Sequence, residues 1–241
     1  MFFLLSGLTQ VLLPDLELSN YQGIVYQASA RGKTFFGYKF ANTFSMSNTA
    51  KRLIGLTGGI ATGKTTVSNY LADEYSLPIL DADIYAREAV APKSPILQTI
   101  FERYGDRLKL PNGELNRSSL GEIVFNDSQE KQWLEAQIHP FVRDRFADQL
   151  QQIQAETVVL SIPLLFEANL TDTVTEILVV SCDRAVQARR LQQRNGLTIQ
   201  QAQARIDSQL PLSQKIAQAD RVLHNNAGLE ELYLQVDRAI A

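Results

Sequence analysis

From residue 52 onward, short apolar runs alternate with longer segments whose apolar residues recur with the period of a helix. This alternation is typical of a parallel sheet whose strands are connected by crossover helices. We predict strands near residues 52–57, 77–81, 157–162, 175–181 and 221–224. We predict helices at about residues 63–75, 82–90, 94–104, 117–125, 128–154, 183–194, 198–209, 212–218 and 228–240. The fold class that follows is α/β with a five-stranded parallel sheet.

The segment between the second and third predicted strands, about residues 84–154, has a helical pattern throughout. It is far longer than the minimal connection between two parallel strands. We therefore predict an inserted helical subdomain in which substrate specificity lies. The predicted core consists of residues 51–83 and 155–241, on either side of this insertion.

The first 45 residues differ in character from the rest of the chain. They open with a short apolar stretch, residues 1–5, but no positive region precedes it and no small-residue cleavage site follows, so we do not expect a signal peptide. Residues 23–45 are rich in Gly, Ser, Thr, Asn and aromatic residues without a sustained period. We predict a poorly ordered extension, with Met46 as the true translation start. The alternative is an appended targeting or docking segment.

The composition of the 241 residues, 45% apolar and 20% charged, is that of a globular protein. The net charge of −3 argues against a broad nucleic-acid-binding surface. A single cysteine, Cys182, excludes an intramolecular disulfide and a cysteine-rich metal site, and its apolar surroundings predict a buried filler. This cysteine usage fits a reducing compartment, so we expect a cytoplasmic protein without a membrane or nucleic-acid partner.

Residues 58–65 match the complete phosphate-loop pattern G-x-x-x-x-G-K-[ST], and an apolar run precedes them. The glycines supply positive φ and close backbone approach, so that backbone N–H groups can surround a phosphate. Lys64 can reach the β and γ phosphates, and the Thr65 hydroxyl can ligate Mg²⁺. We predict a nucleoside triphosphate site formed by Gly58, Gly59, Ile60, Ala61, Thr62, Gly63, Lys64, Thr65 and Thr66.

Two carboxylates, Asp81 and Asp83, follow the second predicted strand. Ligands bind at the carboxyl edge of open α/β sheets, so both carboxylates are expected beside the phosphate loop. Phosphoryl transfer to an alcohol needs a group that orients the hydroxyl and accepts its proton. We predict that Asp83 is this base and that Asp81 is a partner of Mg²⁺ or water. The alternative for Asp81 is a cap on the next helix.

The third predicted strand ends without an aspartate and continues into Pro163-Leu164-Leu165-Phe166-Glu167. A motor ATPase or a GTPase normally carries a metal-directing Asp at this place, and no guanine-reading Asn-Lys-x-Asp motif occurs, so both classes are disfavoured. Residues 163–167 are interpreted as a rigid apolar wall for an acceptor base, with Glu167 at its end. An ordinary strand exit into a buried turn is the alternative.

The helix that follows the fourth predicted strand carries four arginines and ends at Asn195-Gly196. Guanidinium groups are natural partners of phosphates, and a helix next to a flexible glycine can close over a site. We predict a lid over about residues 183–210, in which Arg190 and Arg194 share one face. The alternative is a solvated charged helix. Asn225, in the turn after the last strand, is suited to amide contacts with adenine.

Further ordered segments complete the pattern: Gly113-Glu114-Leu115-Asn116-Arg117 with Val124-Phe125, His139-Pro140 with Arg143, and Asn225-Asn226-Ala227-Gly228. Together with the phosphate loop, Asp81-Ala82-Asp83, residues 163–167 and the arginine-bearing helix, they resemble the dephospho-CoA kinase family over residues 52–240. The resemblance implies a P-loop NTPase three-layer fold with an inserted CoA-binding helical domain and a lid, like nucleoside monophosphate kinases.

The resemblance also implies roles for individual residues. Asp83 falls where the family activates the 3′-hydroxyl of dephospho-CoA, and Arg190 falls at a lid arginine. Arg117, His139 and Arg143 fall where the family binds the acceptor. With the residues singled out above, the predicted substrate-binding set is Asp81, Asp83, Arg117, His139, Arg143, Leu165 and Glu167. Two departures are Ala61-Thr62, where Gly-Ser is commoner, and His224, where an acidic residue is usual.

The expected reaction is transfer of the ATP γ-phosphate to dephospho-CoA, with Mg²⁺ as cofactor, by a monomer or weak homo-oligomer. The expected catalytic residues are Asp83, Lys64 and Arg190. A first alternative is another small-molecule kinase, acting on a nucleoside, shikimate or gluconate. A second is an interaction protein that binds ATP without turnover, which would have no need of a base at Asp83.

Overall fold

The computed structural model describes residues 24–30, 33–39 and 51–241. The first two ranges form an antiparallel hairpin of strands β1 (Ile24–Ala30) and β2 (Lys33–Lys39), in which Ala30 pairs with Lys33. Both strands are rich in β-branched and aromatic residues, which favour pleated strands. The hairpin lies within residues 23–45, for which the prediction of a poorly ordered segment stays a prediction. The order of the remaining extension and the start at Met46 lie outside the described residues.

Residues 51–241 form a separate unit that contains the predicted α/β fold. In chain order its elements are β3 (Arg52–Gly58), α1 (Lys64–Tyr75), β4 (Ile79–Asp81), α2 (Ala82–Ala89), α3 (Pro95–Tyr104), α4 (Arg117–Asn126), α5 (Ser128–Gln152), β5 (Thr157–Ser161), β6 (Glu176–Ser181), α6 (Arg184–Asn195), α7 (Ile199–Asp207), α8 (Leu212–Ile216), β7 (Arg221–His224) and α9 (Leu229–Ile240). Short 3₁₀ turns occupy Asp106–Leu108 and Thr171–Thr173.

Strands β3 to β7 form one five-stranded sheet in the order β4-β5-β3-β6-β7, and every pair in it is parallel. The predicted α/β class and five-stranded parallel sheet are confirmed. The boundaries of the elements differ from the prediction by at most two residues. The largest strand difference is β4, which begins at Ile79 because Leu77 and Pro78 lie before the ladder. A proline lacks the N–H that a ladder position would donate.

Both faces of the sheet are buried, as expected for parallel strands covered by helices. Along β5 and β6 the side chains alternate between two cores: Val158 and Val179 face one, whereas Val159 and Leu178 face the other. The second core is closed by α1 and α9 through Val67, Leu71, Leu232, Val236 and Ala239. The result is a three-layer arrangement, which fixes the phosphate loop between β3 and α1.

Helices α2 to α5 connect β4 to β5 and pack into the first core. The longest is α5, which buries Leu134, Ile138, Val142 and Phe146 at helical spacing. His139 is on the same helix. It lies in the middle of α5, where it is buried, and Pro140 continues the same helix.

Helices α6 and α7 pack mainly against each other through a small cluster of Ala188, Leu191 and Ala202. The partly buried Ile60 and Ala61 of the phosphate loop contact this cluster. Helix α6 ends at Gly196, which has φ 64°, a left-handed conformation that glycine adopts without strain. The α6–α7 pair therefore reaches the loop through a limited apolar contact.

We expect Leu71→Ala to lower the free energy of unfolding by about 2–5 kcal/mol, because Leu71 is fully buried between α1 and the sheet. The exposed Asn69 of the same helix provides the control. Asn69→Ala should change stability by less than about 0.5 kcal/mol. Chemical denaturation followed by circular dichroism measures both, and equal midpoints for the two variants would contradict this packing.

Candidate active site

The phosphate loop turns sharply between β3 and α1. Gly63 has φ 106° and Ala61 has φ 59°. Of the three loop glycines for which positive φ was predicted, only Gly63 therefore has it, and Ala61 has it as well. Gly58 and Gly59 are needed instead for close approach. A Cβ on Gly58 would lie 2.5 Å from the Val180 carbonyl oxygen, and one on Gly59 would lie 2.6 Å from Gln187 Nε2.

A cleft of about 550 Å³ opens above this loop. The predicted base Asp83 and the predicted nucleotide residues line the same space, so the structure brings the two halves of the sequence prediction together. The lining also includes the beginning of the predicted wall and two arginines of α6. The full set is Gly58–Thr66, Asp83, Pro163, Leu164, Arg190, Gln193, Arg194, Gln209, Asn225 and Leu229.

Asp81, Lys64 and Ser161 form a hydrogen-bonded network beside the cleft. The Ser161 hydroxyl donates to Asp81 Oδ2 at 2.7 Å and accepts from the Lys64 ammonium, which lies 3.6 Å from Asp81 Oδ2. Asp81 Oδ1 accepts from the Asp83 N–H at 2.8 Å, so the alternative in which Asp81 caps the next helix is confirmed. Both oxygens of Asp81 are thus engaged within the protein.

Asp83 lies in the first turn of α2 and faces the cleft. Burial raises the pKa of its carboxyl group, the negative charge of Asp81 raises it further, and the positive charges of Lys64 and Arg87 oppose the shift. A carboxylate with a raised pKa has a higher affinity for a proton than an exposed one. Asp83 therefore has both the position and the proton affinity of a general base.

Arg190 and Asn225 support the loop from the side of α6. The Arg190 guanidinium donates to the carbonyl oxygens of Ala61 and Thr62 at 3.3 and 3.2 Å and to Asn225 at 3.2 and 3.3 Å. The Asn225 amide donates to the Thr62 carbonyl at 2.7 Å. In this arrangement Arg190 holds loop carbonyls. Arg194, one turn later, also lines the cleft.

The predicted acceptor wall only partly faces the cleft. Pro163 and Leu164 line it, whereas Leu165 is fully buried in the core and does not face this space. Glu167 Oε1 forms an ion pair with the Lys215 ammonium at 2.7 Å and accepts a hydrogen bond from the Leu210 N–H at 3.1 Å. Its Oε2 is buried without a hydrogen-bond partner among the described residues.

The other predicted acceptor residues lie in the helical insertion and outside the first cleft. Arg117 lines a second cleft of about 700 Å³ between α4 and α7, together with Phe125, Leu197 and Arg205. Its Nη1 is buried and has no hydrogen-bond partner in residues 51–241. His139 is 5% exposed, and neither ring nitrogen has a partner in that range. Burial and the nearby charge of Arg143 lower the pKa of His139 to about 3.

Several residues of the site carry no signal in the sequence analysis. Ser161 ends a strand where a carboxylate was sought, and Lys215 lies in a short helix among ordinary polar residues. Gln187 donates to the Ile60 carbonyl at 2.7 Å, and Gln209 accepts from the Ile60 N–H at 2.8 Å. Only the regular spacing of α6, which places Gln187 on its buried face, could have indicated one of them.

Comparison with known proteins gives a consistent picture. The model of the family described as dephospho-CoA kinase matches residues 52–231. Among curated proteins, the dephospho-CoA kinase of Trichormus variabilis is 57% identical over 190 residues, which are 79% of this chain and 97% of that protein. The dephospho-CoA kinase of Synechocystis sp. is 58% identical over 190 residues, which are 78% of this chain and 94% of that protein.

Solved structures agree with this fold. A Thermus thermophilus protein has a TM-score of 0.69 and 33% identity, with 79% of this chain and 96% of that chain covered. Dephospho-CoA kinase from Campylobacter jejuni has a TM-score of 0.60 and 27% identity, with the same coverage of 79% and 96%. Across the part of the chain that the structure describes, no helix has the length and apolar character needed to cross a membrane.

We expect Gly63→Ala to weaken ADP binding by about tenfold or more, since the new Cβ would require positive φ and would lie 2.2 Å from Asn225 Nδ2. Gly113→Ala is the matched control, because Gly113 also has positive φ, 81°, but its Cβ would meet nothing within 4 Å. Isothermal titration with ADP measures the dissociation constants. Equal affinity in both variants would contradict the tight packing of the loop.

A pH-dependent stability is expected from Glu135, which is 4% exposed, with Oε1 unpartnered in the described unit. Burial raises its pKa to about 7, against the charge of Lys131. The folded state therefore holds a proton that the unfolded state releases near pH 4.5. The contribution of protonated Glu135 to the free energy of unfolding is complete below pH 4.5 and is lost as the pH rises through 7.

Glu135→Gln should remove this loss and should exceed the wild type in stability at pH 8 by on the order of 1–3 kcal/mol. Near pH 5 the two proteins should be similarly stable. Urea denaturation at both pH values measures the difference, with the exposed Glu122→Gln as the control. A Glu135→Gln advantage that is the same at pH 5 and pH 8 would rule out the raised pKa.

Proposed function

This chain belongs to the dephospho-CoA kinase family, and we propose which of its residues perform the ATP-dependent phosphorylation of dephospho-CoA in coenzyme A synthesis. In this proposal the γ-phosphate of ATP is transferred to the ribose 3′-hydroxyl of dephospho-CoA. One observation carries the assignment of roles: Asp83 and the phosphate loop line one cleft. A donor on the loop and an acceptor hydroxyl at Asp83 would then meet in line.

Asp83 is proposed as the general base. Its carboxylate accepts the proton of the acceptor hydroxyl as the oxygen attacks the γ-phosphorus, and the bond from that phosphorus to the β–γ bridging oxygen breaks to release ADP. The raised pKa of Asp83 supports this role, since proton transfer is more efficient when the pKa of the base is closer to the working pH.

Lys64 and the arginines of α6 are proposed to stabilise the charge that the transferring phosphate carries. Lys64 is held at the edge of the cleft by Ser161 and Asp81, from which its flexible side chain can turn toward the phosphates. Arg190 binds the Ala61 and Thr62 carbonyls, which would leave the loop N–H groups for the phosphates. Of the two arginines of α6 that line the cleft, Arg194 is the more exposed.

Mg²⁺ is proposed as the accompanying cation. Mg²⁺ uses few protein ligands in nucleotide sites and completes its shell with phosphate oxygens and water, so a single hydroxyl at the start of α1 suffices. Thr65 is exposed at that point and lines the cleft, so the residues present fit this cation. When bound, it would neutralise phosphate charge and orient the γ-phosphate.

The acceptor is proposed to extend from Asp83 toward the helical insertion. Arg117, His139 and Arg143 support this direction, because each is on the insertion and two of them have buried nitrogens without a hydrogen-bond partner in residues 51–241. An acceptor contact with Glu167 would fall on Oε2, since Oε1 is engaged. Asp81 and Leu165 would act through Asp83 and through the packing of the wall rather than by contact.

The division of the chain is proposed as a core of 51–83 and 155–241, a CoA-binding insertion over about 84–154 and a lid over about 183–210. The separate small cluster of α6 and α7 supports a lid that moves as a unit. A start at Met46, a cytoplasmic location and a monomer or weak homo-oligomer remain predictions. Oligomeric state and location have no bearing on the chemistry proposed here.

We expect Asp83→Asn to lower turnover by about 10²-fold or more while ADP affinity stays near normal, because the amide keeps the shape but cannot accept the proton. Asp73→Asn, on the exposed face of α1, is the control and should retain normal turnover. A coupled assay of ADP release measures the turnover of both variants with dephospho-CoA. Shikimate, gluconate and a nucleoside are tested as alternative acceptors in the same assay. Near-normal turnover of Asp83→Asn would remove this residue from the mechanism.

A further inference from the structure

Lys215, on α8, is a lysine whose side chain is 0% exposed. Its ammonium lies 2.7 Å from Glu167 Oε1 and 3.4 Å from the carbonyl oxygens of both Gly58 and Pro163. Burial lowers the pKa of this lysine, and the carboxylate of Glu167 opposes that shift. A buried charge is costly unless its partners are close and well oriented, so this arrangement calls for an explanation beyond filling space.

The two carbonyl groups belong to residues that line the nucleotide cleft and that come from neighbouring strands. Gly58 ends β3 and begins the phosphate loop, and Pro163 begins the predicted wall just after β5. The Thr57 hydroxyl also donates to the Pro163 carbonyl, at 3.1 Å. A single ammonium group therefore fixes the direction of the first loop peptide and of the wall at the same time.

Glu167 extends this connection to the chain that returns from α7. The Leu210 N–H donates to Glu167 Oε1, and the neighbouring Gln209 accepts from the Ile60 N–H of the loop. The end of the proposed lid segment is thus attached both to the loop and to the ion pair. A displacement of residues 209–215 would therefore also disturb the contacts of Gly58, Ile60 and Pro163.

We propose that Lys215 is a positioning residue for phosphoryl transfer. It acts through the Gly58 and Pro163 carbonyls to hold the phosphate loop and the wall in register, and through Glu167 it couples them to the return of the lid. An apolar side chain of similar length could fill the same volume, but it could not orient two carbonyl groups and a carboxylate. The turnover arm of the test rests on the proposed function, whereas the nucleotide-binding arm does not.

The principal variant is the double substitution Lys215→Met/Glu167→Met, which removes both charges together. Replacing only one partner by an apolar residue would leave the other charge buried without a polar contact in its place and could unfold the protein, whereas an apolar pair of similar volume is often tolerated. The second variant is Glu167→Gln, which keeps the shape and one acceptor oxygen. Thermal unfolding, ADP affinity by isothermal titration, and kcat and KM with dephospho-CoA are measured for each variant.

The double variant should remain folded, bind ADP about tenfold more weakly and lose about tenfold in kcat. Glu167→Gln should show the same direction with a smaller effect. A purely structural role would move the unfolding temperature and leave the ADP affinity of the folded protein unchanged. Wild-type ADP affinity in either variant, measured below its unfolding temperature, would overturn the proposal.

The matched control is the ion pair at the other end of β3. Arg52 lies 2.7 Å from Glu176 and also donates to two backbone carbonyl groups, those of Ile240 and Ala239. Arg52→Met/Glu176→Met should lower stability and leave ADP affinity and kcat unchanged, because this pair lies at the opposite edge of the sheet. A wild-type enzyme inactive on dephospho-CoA would disprove the proposed function, while the ADP measurements would still decide the role of Lys215.

Discussion

The site depends on the parallel alignment of β3, β4 and β5, which brings their carboxyl ends to one edge of the sheet. Three residues far apart in the chain, Gly58, Asp81 and Ser161, end these strands and so become neighbours. The loop proposed to surround phosphate groups and the carboxylate proposed to activate a hydroxyl are therefore placed by backbone hydrogen bonding and core packing. Side-chain chemistry then acts on a geometry that is already fixed.

The charges at this edge are linked by direct contacts. Lys64 neutralises Asp81 through a direct ion pair and through Ser161, and Asp81 in turn caps α2. Asp83 is left facing the cleft with a raised pKa. Because the effective dielectric constant is low there, each fixed charge has a larger effect on the proton affinity of its neighbour than it would in water. The same network thus positions α2 and tunes the candidate base.

Several buried polar groups destabilise the fold in a way that apolar side chains at the same positions would not. Glu135 Oε1 and both ring nitrogens of His139, one turn apart on α5, have no hydrogen-bond partner in the described unit, and each residue is shifted toward its neutral form. Lys215 instead keeps a carboxylate and two carbonyl groups close to its ammonium. The insertion therefore contains unsatisfied polar groups on the side where an acceptor is proposed to bind, whereas the buried ammonium beneath the loop has its partners.

The sequence by itself determined the elements and the phosphate loop, because apolar periodicity and the glycine spacing are local properties. It also indicated Asp83, because a carboxylate just after a strand falls at the edge of the sheet where ligands bind. Tertiary structure alone decided the partners: that Arg190 binds loop carbonyls, that Leu165 faces the core, and that Glu167 pairs with Lys215. These contacts join segments separated by tens of residues, and their energies depend on burial and distance, which no local pattern records.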